Sequence, residues 1–319
     1  MLVKVVDVDW NPDPSRRAEV ELLDSAGNSF GLIDYDGAAL TVDWKPNHRY
    51  RISQCNVKKG GSTYPVVLSP SKRTEIESLG SSRRHTSLLV VGDTHVGRTR
   101  HPKTEAEIDP IDAFATAVEY GIERDVDAVV HVGDIFHESA STQQANSVDR
   151  RVFGPLEGAS IPFYYVRGNH SAESGDRVLA NRPGVSRLDT TGERIGSDMR
   201  VFGIDHYEGG TLPWGRLNFP DAITESIRLL VLHQTLRQLS GEKADSIDLK
   251  RIPRRFRGRF NLVLSGHHHD ATSKDWNGTT VMYTGASEHM SKNSDATDRV
   301  AWFISASKTP ITPQRYDIP

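Results

Sequence analysis

From residue 87 onward the chain carries seven short, predominantly apolar runs, at 88–91, 128–132, 162–166, 200–204, 229–232, 262–264 and 281–283. Continuous apolar runs of this length read as strands buried on both faces, which only a sheet covered on each side can accommodate. Between the first two, Phe114, Val118 and Ile122 recur every fourth residue within 112–123, the spacing of one face of an amphipathic helix. Apolar strands alternating with helical stretches predict an α/β domain with its sheets covered by helices.

Residues 1 to about 80 follow a different pattern. Five strand-like stretches, at 2–8, 18–23, 29–34, 48–57 and 62–68, are separated by turn signals such as Asn11-Pro12-Asp13-Pro14, Asp36-Gly37 and Lys59-Gly60-Gly61. This spacing predicts a small all-β barrel. The small, polar and charged stretch from Ser78 to His85 reads as an interdomain connection. The expected organisation is a barrel over 1–80, a linker over 81–86 and an α/β domain over 87–319. A length of 319 residues agrees with two domains of ordinary size.

Composition narrows the possible partners. With 39 Lys and Arg against 42 Asp and Glu, the net charge of -3 excludes a global attraction to nucleic acid or anionic membrane, so any polyanion must be held by a local basic patch. The single cysteine, Cys55, excludes an intramolecular disulfide framework and a cysteine-built metal site. Apolar runs stop far short of the roughly 20 residues that span a bilayer, and Asp7 and Asp9 interrupt the N-terminus before any signal-peptide core. The expectation is a cytoplasmic protein with no membrane partner.

The chemistry lies at the ends of the apolar runs. Gly92-Asp93-Thr94-His95, Gly133-Asp134-Ile135-Phe136-His137, Gly168-Asn169-His170, His233 and Gly266-His267-His268-His269 each follow one directly. In open α/β sheets ligands bind beyond the carboxyl ends of strands, so residues far apart in sequence converge there. Taken singly, a Gly-Asp after a strand is an ordinary turn or helix cap, and His233 an ordinary hydrogen-bonded histidine. Five such elements in order, each on a different strand, point to one site. Asp93 with His95, and His267 with His269, stand two apart and share a side of extended backbone. Carboxylate, amide and imidazole donors without thiolate favour a borderline-hard divalent ion such as Mn²⁺ over a structural zinc site.

This series resembles the calcineurin-like metallophosphoesterase superfamily, whose core is a four-layer α/β/β/α sandwich holding two metal ions. Gly133 to His137, His233-Gln234-Thr235 and Tyr283-Thr284-Gly285-Ala286 are similar to its SbcD-type DNA double-strand-break repair nucleases, over roughly residues 87 to 305. The resemblance implies one ion held by Asp93, His95, Asp134 and His269, and a second by Asp134, Asn169, His233 and His267, with Asp134 bridging. It also implies that His170 protonates or stabilises the leaving oxygen and that His137 supports it. His268 and the Asp205-His206 pair are expected to be structural.

Two departures stand out. Ser171 follows Gly168-Asn169-His170 where the family usually has aspartate, which leaves His170 without an adjacent carboxylate and predicts weaker activity. About fifty residues follow His269, leaving no room for the C-terminal capping and ATPase-binding regions, so the usual SMC-like ATPase partner is not expected.

Residues 1–80 are similar to the OB-folds of replication protein A-type single-strand DNA-binding proteins. Lys45, Arg49, Arg51, Lys58 and Lys59 stand there among Trp44, Tyr50 and Tyr64, a mixture suited to phosphate contact and base stacking. A second basic run, from Lys250 through Arg254, Arg255 and Arg257 to Arg259, precedes the strand leading to His267. The expected function is a two-metal phosphodiesterase or nuclease acting on DNA, including single-stranded DNA, in repair or processing. The alternatives are a phosphomonoesterase or protein phosphatase of the same fold, and a catalytically weak DNA-binding scaffold.

Overall fold

The computed structural model describes residues 2–10, 18–24, 29–34, 48–60, 66–71, 73–81, 86–101, 104–196, 198–209, 212–220, 222–241, 243, 245–252, 259–290, 299–306 and 311–319. The chain divides into two compact units, residues 1–84 and 85–319.

Among the described residues the first unit is all β. Its strands are β1 (Leu2–Trp10), β2 (Ala18–Asp24), β3 (Ser29–Asp34), β4 (His48–Ser53), β5 (Asn56–Lys59), β6 (Val66–Ser69) and β7 (Glu75–Ser81). They form one sheet in the order β5-β6-β3-β2-β1-β4-β7, antiparallel except for the β3–β6 pair. Val20 and Leu22, and Tyr50 and Ile52, stand two apart on their strands and meet Leu32 and Leu68 in a small core, as the strand period requires. Two sequence expectations change here. The stretch 48–57 is two strands, because Gln54 takes a left-handed backbone (φ 54°) that breaks the run. Residues 78–81, expected to begin the linker, pair with β4 as part of β7; their polar composition reflects an edge strand. Tyr50 is fully buried, so it belongs to the core and is not a stacking surface.

In the second unit the strands are β8 (Ser87–Val91), β9 (Ala128–His131), β10 (Phe163–Tyr165), β11 (Val185–Arg187), β12 (Glu193–Ile195), β13 (Met199–Ile204), β14 (Ile227–Leu232), β15 (Leu262–Ser265), β16 (Thr272–Trp276), β17 (Thr279–Tyr283), β18 (Val300–Ser305) and β19 (Gln314–Asp317). Two six-stranded sheets result, β11-β10-β9-β8-β18-β19 and β12-β13-β14-β15-β17-β16. All seven predicted runs are strands. Within each sheet the central neighbours are parallel, β8–β9–β10 in one and β13–β14–β15–β17 in the other.

Side-chain alternation explains why these runs are apolar throughout. Leu88 and Val90 of β8 point into a core shared with Val201, Leu229, Val231, Leu262 and Leu264 of the opposite sheet. Leu89 and Val91 point the other way, onto the helices. These are α1 (Pro110–Glu123), α2 (Thr142–Val148), α3 (Gly154–Gly158) and α4 (Glu173–Asn181). Helix α1 starts where proline is tolerated, at Pro110, and the Asp109 carboxylate accepts from the amides of Ile111 and Asp112. Its buried face carries Ala113, Phe114, Ala117 and Val118. The far face of the second sheet is covered as well. There, short turns and α5 (Arg237–Ser240) seat Trp214, Phe219, Leu236, Leu249 and Phe260 against β13–β15 and β17. Among the described residues the two sheets thus form a sandwich covered on both outer faces. No helix among the described residues is long and apolar enough to cross a membrane.

Candidate metal centre

Five loops leave the carboxyl ends of β8, β9, β10, β14 and β15 and converge. The amides of Thr94 and His95 donate to the Asp134 carbonyl (3.2 and 2.9 Å), the His170 amide to Asp134 Oδ1 (2.8 Å) and the His267 amide to Asp93 Oδ1 (3.1 Å). His95, Asp134 and His267 all hold left-handed backbones, with φ of 45°, 52° and 73°. Each such conformation costs a non-glycine residue on the order of 1 kcal/mol, and three together at one point mark a place where position outranks local comfort. Glycines permit the approach. A β-carbon on Gly168 would sit 1.9 Å from Asp134 Oδ1. Gly133 itself turns at φ 109°, where a β-carbon would meet the His233 ring.

The atoms brought together are nearly all acceptors. His233 donates through Nδ1 to the Val132 carbonyl (2.8 Å), which leaves a lone pair on Nε2 in the neutral ring. That Nε2 faces Asp134 Oδ2 at 3.2 Å, Asn169 Oδ1 at 3.1 Å and Asp93 Oδ1 at 3.7 Å. His269 likewise donates through Nδ1 to the Met290 carbonyl (2.9 Å), and its Nε2 lies 3.1 Å from His95 Nε2. His267 Nδ1 meets Asn169 Oδ1 at 2.8 Å, and Asp93 Oδ2 is buried with no hydrogen-bond partner. A buried set this rich in acceptors is stabilised by protons or cations shared among its members. Among the described residues the ligand-capable groupings are Asp93, His95 and His269; Asp93, Asp134 and His233; His95, Asp134 and His170; and, at the rim, His137, Glu138 and His170. Both buried carboxylates thus reach toward a shared centre, and the donor set fits divalent ions.

The electrostatics agree. Burial pushes the Asp93 carboxyl up. Burial would raise Asp134 too, but the hydrogen bond and charge of His233 hold it well below the usual carboxylate range. Burial disfavours a charged His233, yet Asp93 and Asp134 outweigh it and push the imidazole up to about 9. His95 is driven well below its ordinary value by burial, and His267 to about 4 by burial and then by His233. The two carboxylates therefore draw a proton onto the one imidazole between them.

Every residue named in the sequence as a ligand, together with His170 and His137, lies in or beside this cluster. His170 and His137 stack with ring centroids 5.2 Å apart, and His170 lies 5.1 Å from the His95 ring. A cavity of about 320 Å³ opens above them, lined by His95, Arg98, Asp134, Asn169, His170 and His267 among others. His268 stacks on Tyr283 with centroids 4.3 Å apart and meets Thr235 Oγ1 through Nε2 (3.2 Å), while also lining the cavity. The basic residues are a separate matter. Lys58 and Lys59 are exposed on β5. Lys45, Arg254, Arg255 and Arg257 lie outside the described residues, as do the side chains of Arg49 and Arg51.

Sequence reasoning missed three neighbours. Glu138 contacts both His170 and His137, Arg98 lines the cavity, and His206 stacks on His267 at 5.6 Å while its Nδ1 meets the His233 carbonyl at 3.0 Å. Asp205, read with His206 as structural, is so: it accepts from the Arg167 amide and pairs with Arg187. A signal for His206 existed, since it too follows an apolar strand; Glu138 had none beyond its place after His137.

With the geometry in place, comparison with known proteins decides the family. The calcineurin-like phosphoesterase superfamily domain matches residues 87–301. The chain belongs to this superfamily. As a calcineurin-like phosphoesterase it shares 27% identity over 216 residues with the DNA double-strand break repair protein Mre11 of Methanosarcina mazei, covering 65% of this chain and 34% of that one. The protein of the same name from Haloferax volcanii is 26% identical over 217 residues, 65% of this chain and 46% of that one. The chain thus spans between a third and a half of the length of these relatives. A solved Thermus thermophilus structure overlaps 74% of this calcineurin-like chain and 100% of its own, at 12% identity and a TM-score of 0.48, a likeness too slight to add to the assignment.

Proposed function

We propose that the strand-end cluster holds two divalent metal ions, Mn²⁺ in preference, and hydrolyses phosphodiester bonds in DNA. Asp93, His95, Asp134 and His269 hold one ion; Asp134, Asn169, His233 and His267 hold the second. The observation that carries this reading is the convergence of two buried carboxylates, an amide oxygen and four imidazoles from five strand ends, with contacts of 3.1–3.7 Å among them, a donor set that suits divalent ions. Bound ions supply Lewis acidity toward the phosphoryl oxygens and an acidified water as nucleophile.

The chain's own residues do the rest. Asp134 Oδ1 fixes the backbone of His170, so the carboxylate that serves the metals also sets where the proton donor stands. His170 gives its proton to the leaving oxygen, with His137 stacked behind it. Arg98, on the cavity wall, adds a positive charge toward an anionic diester.

DNA is the substrate this reading favours, in repair or processing. The relatives bear the name of a DNA double-strand break repair protein, and exposed Lys58 and Lys59 sit side by side on an edge strand of the N-terminal sheet. With Lys45, Arg49, Arg51 and the 254–257 run they furnish phosphate contacts for DNA, single-stranded DNA included. The test is incubation of the Mn²⁺-loaded protein with labelled single- and double-stranded DNA and, in parallel, 4-nitrophenyl phosphate. Cleavage of DNA with slow turnover of the monoester supports the proposal. Rapid monoester hydrolysis with DNA intact assigns a phosphomonoesterase instead.

A further inference from the structure

The proton donor assigned to His170 is half-exposed at the mouth of the cavity, and the residue after it, Ser171, carries no charge. An imidazole in such a place rotates freely about its side-chain bonds unless something holds the ring. Glu138 does so. Its Oε1 lies 2.6 Å from His170 Nδ1 and its Oε2 3.2 Å from His137 Nε2. One carboxylate therefore bridges two stacked rings inclined by 21°.

The far end of the bridge is anchored. His137 Nδ1 meets Ser139 Oγ at 2.8 Å, Ser139 Oγ donates to the Gly97 carbonyl (3.1 Å), and the His137 amide donates to the Val96 carbonyl (2.9 Å). The loop leaving β9 supplies both Asp134 and Glu138, so a single rigid turn places the carboxylate for the metals and the carboxylate for the rings. With Nδ1 engaged by an acceptor, Nε2 is the ring nitrogen left to face a substrate oxygen.

We propose that Glu138 is the positioning residue for His170, fixing its ring plane and aiming its Nε2 at the leaving oxygen, with His137 completing a Glu138-bridged pair. The inference rests on the reading of His170 as the proton donor to the leaving group. Glu138 is 56% exposed at its side chain, so its contribution to folding stability is small and its removal leaves the fold in place.

The experiment compares two small diesters that differ in how much they need a proton: bis(4-nitrophenyl) phosphate, whose leaving group departs readily as the anion, and diphenyl phosphate, whose leaving group is far more basic. Wild-type protein, Glu138→Ala, Glu138→Gln and His170→Ala are loaded with Mn²⁺, and kcat, KM and bound metal are measured. Glu138→Ala should lower kcat on diphenyl phosphate by about ten- to hundredfold, the usual range for losing an orienting partner. On bis(4-nitrophenyl) phosphate the loss should be about threefold or less, with KM and metal content unchanged. Glu138→Gln should recover part of the loss, because its amide oxygen still accepts from Nδ1. Equal slowing on both diesters, loss of metal, or a normal kcat on diphenyl phosphate in Glu138→Ala overturns the inference. If His170→Ala itself turns over diphenyl phosphate normally, the role of His170 falls and this inference with it; if His170→Ala is slow while Glu138→Ala is normal, only Glu138 is removed.

Discussion

His170 and Asp134 touch through one hydrogen bond but do different work, and substitution separates them. His170→Ala should keep both metals and lower turnover of a phosphodiester by roughly two to four orders of magnitude, the range for losing a general acid or base. Metal analysis beside steady-state kinetics checks this, and lost metal would make His170 a ligand. A second prediction concerns His131, fully buried beneath the site, where its Nε2 meets Thr94 Oγ1 and its Nδ1 accepts from the Gly133 amide. Burial depresses its pKa from 6.5 to about 3. The folded state thus refuses a proton that the unfolded state accepts. Stability from this residue is complete above about pH 6.5 and is lost as pH falls toward 3, which amounts to about 2 kcal/mol by pH 5. Denaturant unfolding of wild type and His131→Asn between pH 7 and 5 should show a shallower pH dependence in the variant; parallel curves would place the sensitivity elsewhere. The convergence of the residues assigned as ligands was legible in sequence because each follows an apolar run that is a strand in the fold. The partner of His170 was not, because nothing local to Glu138 says that the loop after β9 folds back across the loop after β10.

At the scale of the element, position is set by the turns that end the strands. Gly168→Ala would drive a β-carbon to 1.9 Å from Asp134 Oδ1 and 2.5 Å from the Asp134 backbone nitrogen, so the Asp134 loop must shift to admit it. We expect this one methyl to strip metal and activity while the fold persists, readable as metal content against far-ultraviolet circular dichroism; full metal occupancy would show that the loop relaxes. The central strands were readable because both faces are buried, so their composition is uniform. The strands that sequence reasoning passed over mostly lie at the margins: β11 and β12 have only three residues each, and β16 and β19 are largely exposed. Such strands are held by a neighbour's hydrogen bonds rather than by their own side chains. β18 is apolar enough to have been read, but no motif ends it. The residues that cover β13–β15 were not located in the sequence, since Trp214, Leu236 and Phe260 are fixed by tertiary packing.

At the scale of the whole molecule, a net charge of -3 requires that any hold on DNA be local. Replacing Lys58 and Lys59 with serine should weaken binding to a labelled oligonucleotide and lower the steepness of its salt dependence by about 1.4, at about 0.7 per phosphate contact with a single strand. Fluorescence anisotropy at several salt concentrations gives the slope, and an unchanged slope would remove β5 from the DNA-binding surface. The whole-chain account nevertheless stands or falls at Asp134, the carboxylate assigned to both ions and the support of the His170 backbone. The most direct measurement is the metal content and phosphodiester turnover of Mn²⁺-loaded wild type beside Asp134→Ala. The account predicts two ions per chain in the wild type, depletion of metal in the variant and loss of its hydrolysis. Two ions per chain and ordinary turnover in Asp134→Ala would contradict it.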